Sequence, residues 1–189
     1  MRSQPHLADS LPRAVIALAV GLVVVLAAGV IVLSRLAGGD DQDAAMPPAR
    51  TGPLGVVPVP APASGSADCA TLLAALPTTL PGAPEPLTRA QLADPAPPAT
   101  VAWANARSHP VVLRCGLDRP RELTPGAAIR AVSGVQWLFV EGDGATTWYL
   151  VDRPVYVALT VPGDAGTGPL QDVSAVAGRV LAAVPVRVN

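Results

Sequence analysis

The sequence predicts an α+β protein, a two-layer sandwich in which a mainly antiparallel sheet carries two helices on one face, preceded by one transmembrane helix. Three observations lead there. One uninterrupted apolar run stands near the N-terminus, several later segments alternate apolar and polar residues, and two segments repeat apolar residues at helical spacing. The predicted organisation is a cytoplasmic N-terminus (1–13), a transmembrane helix (14–33), a Pro-rich linker (34–67) and an exported α+β domain (68–189).

Residues 14–33 are all apolar or Gly. About 20 such residues at 1.5 Å rise match a hydrocarbon core of roughly 30 Å. A cleavable secretory signal has a shorter apolar core, so length favours a retained signal anchor, although Ala37 and Gly39 offer a small-x-small cleavage pair. Either reading exports the rest of the chain, which is secreted if the segment is cleaved. Arg2, Arg13 and the terminal amine precede the run, whereas Arg35 alone follows it before Asp40, Asp41 and Asp43, so the N-terminus is expected in the cytoplasm. A lipid-modified cysteine at a cleavage site is excluded, because the first Cys is Cys69.

The linker carries Pro47, Pro48, Pro53, Pro58, Pro60 and Pro62 among Gly, Ala and Ser, a composition that buries too little apolar surface to fold. Its alternating Val-Pro and Ala-Pro pairs over 57–62 favour extended polyproline II and a spacer role.

In the domain, Asp68 is expected to cap a short helix whose Cys69, Leu72, Leu73 and Leu76 share one face before Pro77 stops it. Val111, Leu113, Cys115 and Leu117 alternate along a strand, leaving Val112 and Arg114 on its other face. Both cysteines thus point at the core, and in an exported chain they are expected to form one disulfide, Cys69–Cys115. A redox pair is a poor alternative at a separation of 46 positions. Val135, Trp137 and Phe139 then alternate with Gln136, Leu138 and Val140 before Glu141-Gly142-Asp143-Gly144, a turn composition, so a hairpin is expected with its return strand over 147–151. Asp152-Arg153-Pro154 interrupts the ladder, and Val155, Val157, Leu159 and Val161 alternate beyond it, completing a meander. After a Gly/Pro loop at 162–169, Val173, Val176, Ala177, Val180, Leu181 and Val184 recur at helical spacing. Pro169 stands at the helix start, Asp172 in its first turn and Arg179 near its end, and Pro185 is the expected stop.

Several of these marks resemble a known family. The N-terminal anchor, Cys69 opening a helix that ends in Leu76-Pro77, Ala102-Trp103, Val112-Leu113-Arg114-Cys115-Gly116, Gly134-Val135-Gln136-Trp137, Trp148, Asp152-Arg153-Pro154-Val155-Tyr156-Val157 and Val184-Pro185 are similar to uncharacterised actinobacterial exported proteins grouped as a domain of unknown function. The resemblance covers residues 68–189 and implies a membrane-anchored or secreted envelope protein with no established activity, cofactor or partner. The stretch Asn105-Ala106-Arg107-Ser108-His109-Pro110 departs from it where a Gly-Asp-Pro-Pro-like turn is expected.

Composition narrows function. With 189 residues, a net charge of −1, 14% charged, 50% hydrophobic and 3% aromatic residues, the chain is neither a nucleic-acid binder nor a charged disordered tail. All 13 basic residues are Arg, which excludes P-loop, Schiff-base and Ser-Lys chemistry, each of which needs a lysine amine. The 22 Pro and 17 Gly argue against long helices in the domain. No metal site is expected from His6, His109 and two paired cysteines, and no cofactor is implied. Asp143 in Glu-Gly-Asp-Gly reads as a turn rather than a calcium loop, and Ser108-His109 lacks an evident orienting carboxylate. Trp103, Trp137 and Trp148 read as core fillers.

Arg114, Asp152 and Arg153 remain as candidate site residues. An Arg fork binds carboxylate or phosphate, which peptidoglycan stems and envelope polymers offer. The plainer reading is an Arg114–Asp152 structural salt bridge with Arg153 solvated. If the two arginines act together, they are expected as an anion-binding patch on the sheet face away from the helices. The sequence therefore points to a single-pass, membrane-anchored extracytoplasmic module, more in keeping with noncatalytic envelope interaction or assembly than with an envelope-acting enzyme, which is kept as the alternative. Its expected partners are the membrane, through 14–33, and an envelope protein or anionic cell-wall ligand.

Overall fold

The structure, a computed structural model, describes residues 52–188 and, before them, Gly21, Leu22 and Leu26, which are helical. The rest of the expected transmembrane segment lies outside the described residues. Among the described residues, no helix is long and apolar enough to cross a membrane.

The domain is α+β. In chain order it comprises α1 (Ala67–Ala75), β1 (Thr79–Leu80), β2 (Leu87–Ala90), β3 (Thr100–Ala104), β4 (Val111–Leu117), β5 (Ile129–Val132), β6 (Val135–Gly142), β7 (Ala145–Leu150), β8 (Tyr156–Pro162) and α2 (Gly168–Val180). The strands form one eight-stranded sheet in the order β1-β2-β3-β4-β8-β7-β6-β5, antiparallel throughout. It is two meanders, β1 to β4 and β5 to β8, that meet at β4 and β8.

The predicted alternation holds on β4, where Val111, Leu113 and Cys115 are fully buried, and on β8, where Val157 and Leu159 are too. They join Trp103, Trp137 and Leu150 under both helices, whose Cys69, Leu72, Val173 and Ala177 close the main core. Three sequence-based helix details are corrected. Ser66 rather than Asp68 caps α1, accepting from the Cys69 N–H at 3.2 Å, and Asp68 sits in the first turn, where a negative charge also suits the helix dipole. Helix α2 ends at Val180 rather than running to Val184, and its first turn holds no acidic residue. Beyond it the Val184 N–H donates to the Asp152 carbonyl at 2.9 Å, and a residue before Pro185 is disfavoured in helical conformation.

The opposite face of the sheet is partly covered. The connection 118–128 places Leu123 on Leu138 and Val151 in a second, smaller core. Residues 52–66, inside the stretch expected to be linker, lie against the domain. Leu54 bridges to Leu92, its N–H donating to Gln91 at 2.7 Å and its carbonyl accepting from Ala93 at 2.9 Å, and the Ala63 N–H donates to the Gly116 carbonyl at 3.0 Å. Gly116 is required there. It has φ +83°, and a Cβ would stand 2.3 Å from the backbone of Ala63 and Ser64. The chain thus crosses β4 as a strap, rounds its end at Gly116 and enters α1, which the Cys69–Cys115 disulfide fastens to β4 with a Cα–Cα distance of 5.7 Å.

Candidate functional site

The three residues singled out by sequence do not form one group. Asp152 pairs with its neighbour Arg153 rather than with Arg114, Nη1 to Oδ2 at 2.8 Å, with side chains only 4% (Arg153) and 8% (Asp152) exposed. Arg153 is therefore not solvated. Its Nη1 also donates to the Asp152 carbonyl at 2.9 Å and its Nη2 to the Gly134 carbonyl at 3.5 Å, which ties the end of β7 to the β5–β6 turn beside α2. Three peptide and carboxylate contacts of this kind make a structural clamp, not an open anion site.

Arg114 lies elsewhere. Its position on β4 puts it on the face away from the helices, where Nη2 donates to the Val57 carbonyl of the strap at 3.3 Å and Nε has no protein partner. Burial lowers its pKa from the ordinary value, an effect opposed by the Tyr149 phenol nearby. Tyr149 is raised in turn, first by burial and then by Glu122, with Arg114 acting against both. The guanidinium remains a cation at neutral pH.

Arg114 lines a cleft of about 330 Å³ over β4 and β8. Val112, Pro110 and Pro162 make an apolar floor, and Asp143 of the β6–β7 turn lines it too. The register shows how these are disposed: Arg114 stands opposite Ala158 and Val112 opposite Thr160, while Pro162 pairs with Ala145 next to that turn. Arg114 is thus at one end of the cleft and Asp143 at the other.

His109 borders the same cleft, and here the structure supplies what the sequence did not show. Asp164, in a short 3-10 turn after β8 (Gly163–Ala165), accepts from the His109 backbone N–H at 3.1 Å and stands 3.2 Å from its Nδ1. Burial alone would raise the Asp164 pKa, but the His109 hydrogen bonds and charge outweigh it and hold the carboxyl below its ordinary value. Ser108 does not complete a relay. It is buried, and its Oγ is bound to Asn105 Oδ1 at 2.8 Å, the atom that also accepts from the Arg107 and Ser108 N–H groups. Among the described residues, no three His, Cys, Asp or Glu side chains gather where they could hold a metal ion.

The sequence profile of one family, described as protein of unknown function DUF3515, matches residues 16–186. The chain belongs to that family. No curated protein and no solved structure matches it. The DUF3515 match begins within the apolar run and extends into the C-terminal tail, so the strap, the disulfide, the Asp152–Arg153 clamp and the Arg114 cleft all lie within the matched residues.

Chemically, the DUF3515 domain offers a cation and a carboxylate that form no ion pair among the described residues, over an apolar floor, with a carboxylate-oriented imidazole at the rim. That arrangement can bind and orient a polar ligand. For acyl transfer it lacks a nucleophile beside His109, since the neighbouring hydroxyl is committed to Asn105.

Proposed function

We propose that the chain is a single-pass, membrane-anchored extracytoplasmic module of the cell envelope that works by noncatalytic recognition or assembly, with Arg114 contributing to a site for an anionic group. The observation that carries the export half of this reading is the fully buried Cys69–Cys115 disulfide, which belongs to an oxidising compartment. The apolar run at 14–33 and the bias of arginines towards its N-terminal side support anchoring with the N-terminus in the cytoplasm. The recognition half is supported by the Arg114 cleft.

Protease added to intact spheroplasts is expected to digest the domain and leave an N-terminal membrane fragment. A domain protected until lysis would refute the topology, and a chain recovered entirely from the medium would replace the anchor with a cleaved signal. The alternative, an envelope-acting enzyme, draws its one specific support from the His109–Asp164 pair at the rim of the cleft.

A further inference from the structure

Arg114 and Asp143 are two opposite charges that line one cleft, and neither forms an ion pair among the described residues. Arg114 gives one hydrogen bond to Val57 and keeps unused donors. A plain anion such as phosphate would engage Arg114 alone, and a plain cation Asp143 alone. A ligand carrying both charges satisfies both ends. The sheet sets the separation: from Arg114 to Pro110 is four residues of extended strand, roughly 13 Å at about 3.3 Å per residue, and the Asp143 turn lies two strand spacings of about 4.8 Å across from there, so the two positions stand roughly 16 Å apart. Part of that distance is covered by the arginine side chain, leaving room for two or three residues of extended peptide. Between the charges Val112, Pro110 and Pro162 make the floor apolar, which suits small aliphatic groups. The volume, about 330 Å³, is at the small end for a ligand site.

We propose that this cleft binds a short peptide with free termini, its carboxylate on Arg114, its ammonium on Asp143 and its small apolar side chains on the Val112 floor. The assignment rests on the reading of the chain as a binding module. Trialanine is the probe, titrated calorimetrically into the full-length chain in detergent beside N-acetyl-trialanine and trialanine amide. Trialanine binds, and each cap weakens it about tenfold or more, the loss expected when a charge-assisted hydrogen bond disappears. Arg114→Gln abolishes the difference between trialanine and its amide, and Asp143→Asn abolishes the difference between trialanine and its acetylated form. Equal affinity for all three peptides, or no binding up to about 10 mM, overturns the proposal. If Arg114→Gln does not fold, the cap series on the parent chain decides alone. Mass spectrometry of the recovered probe separates the two readings. Intact trialanine is expected, and cap-dependent binding with hydrolysis to alanine would leave the site standing while removing the noncatalytic function.

Discussion

The Asp152–Arg153 pair concentrates more consequence in two side chains than any other polar contact in the domain. Both are buried, and removing the cation would leave the carboxylate without a compensating charge, a loss of about 3–5 kcal/mol. Arg153→Met is therefore expected to lower thermal stability severely. Asp152→Asn combined with Arg153→Met should recover part of that loss, because no uncompensated charge remains, and paired melting curves would expose additivity as the contrary result. The His109–Asp164 contact is exposed and acts differently. A carboxyl whose pKa is lower in the folded than in the unfolded chain stabilises fully above the unfolded value and loses its contribution as pH falls through the folded one. That window lies below the ordinary value of 3.8. Asp164→Asn should accordingly lose less melting temperature than the parent between about pH 5 and about pH 2, a difference that differential scanning calorimetry reads directly. Of these residues, only Arg114 could be placed by pattern, since period-two alternation fixes a face. Asp164 lies 55 positions from His109 with no spacing rule to link them, and no sequence pattern tells that Asp152 pairs with its neighbour Arg153 rather than with Arg114.

Helices and long strands were legible where the core demands a period. Strands β4, β6 and β8 each run seven or eight residues and send alternate positions into the main core, and the α1 stripe is short but stopped cleanly by Pro77. Strands β1, β2 and β5 have two to four residues, too few for alternation to rise above chance, and β3 is built on Thr, Val and small Ala around a single Trp. At the other end, Val184 continues the helical spacing of α2 by coincidence, and its N–H instead finds the Asp152 carbonyl. The strap shows a similar limit. Its Pro pattern suggests a spacer, and composition cannot reveal that its free N–H and C=O groups meet partners on Gln91, Ala93, Arg114 and Gly116. Gly116→Ala tests that docking. A side chain at positive φ facing the Ala63–Ser64 backbone should cost at least about 2 kcal/mol, visible as a lower denaturant midpoint. Unchanged stability would mean that the strap lifts away without penalty.

Across the whole domain one covalent link fastens α1 to β4 just beyond the strap. In the chain-entropy account, a closed loop of this length contributes about 4 kcal/mol, so a Cys69→Ala, Cys115→Ala double variant should melt well below the oxidised parent. Chemical reduction of the parent should reproduce that shift, and a variant melting with the parent would show the bond to be redundant. The strand order has a further outcome, for kinetics. Every ladder other than β4·β8 joins strands adjacent in sequence, whereas Val112 must find Thr160 across the whole β5–β8 meander. Loop-closure entropy delays such distant pairing until local hairpins have formed and shortened the search. Each meander can therefore gather early on its own, and the hydrogen bonds in the middle of the finished sheet are the last of its ladders to close.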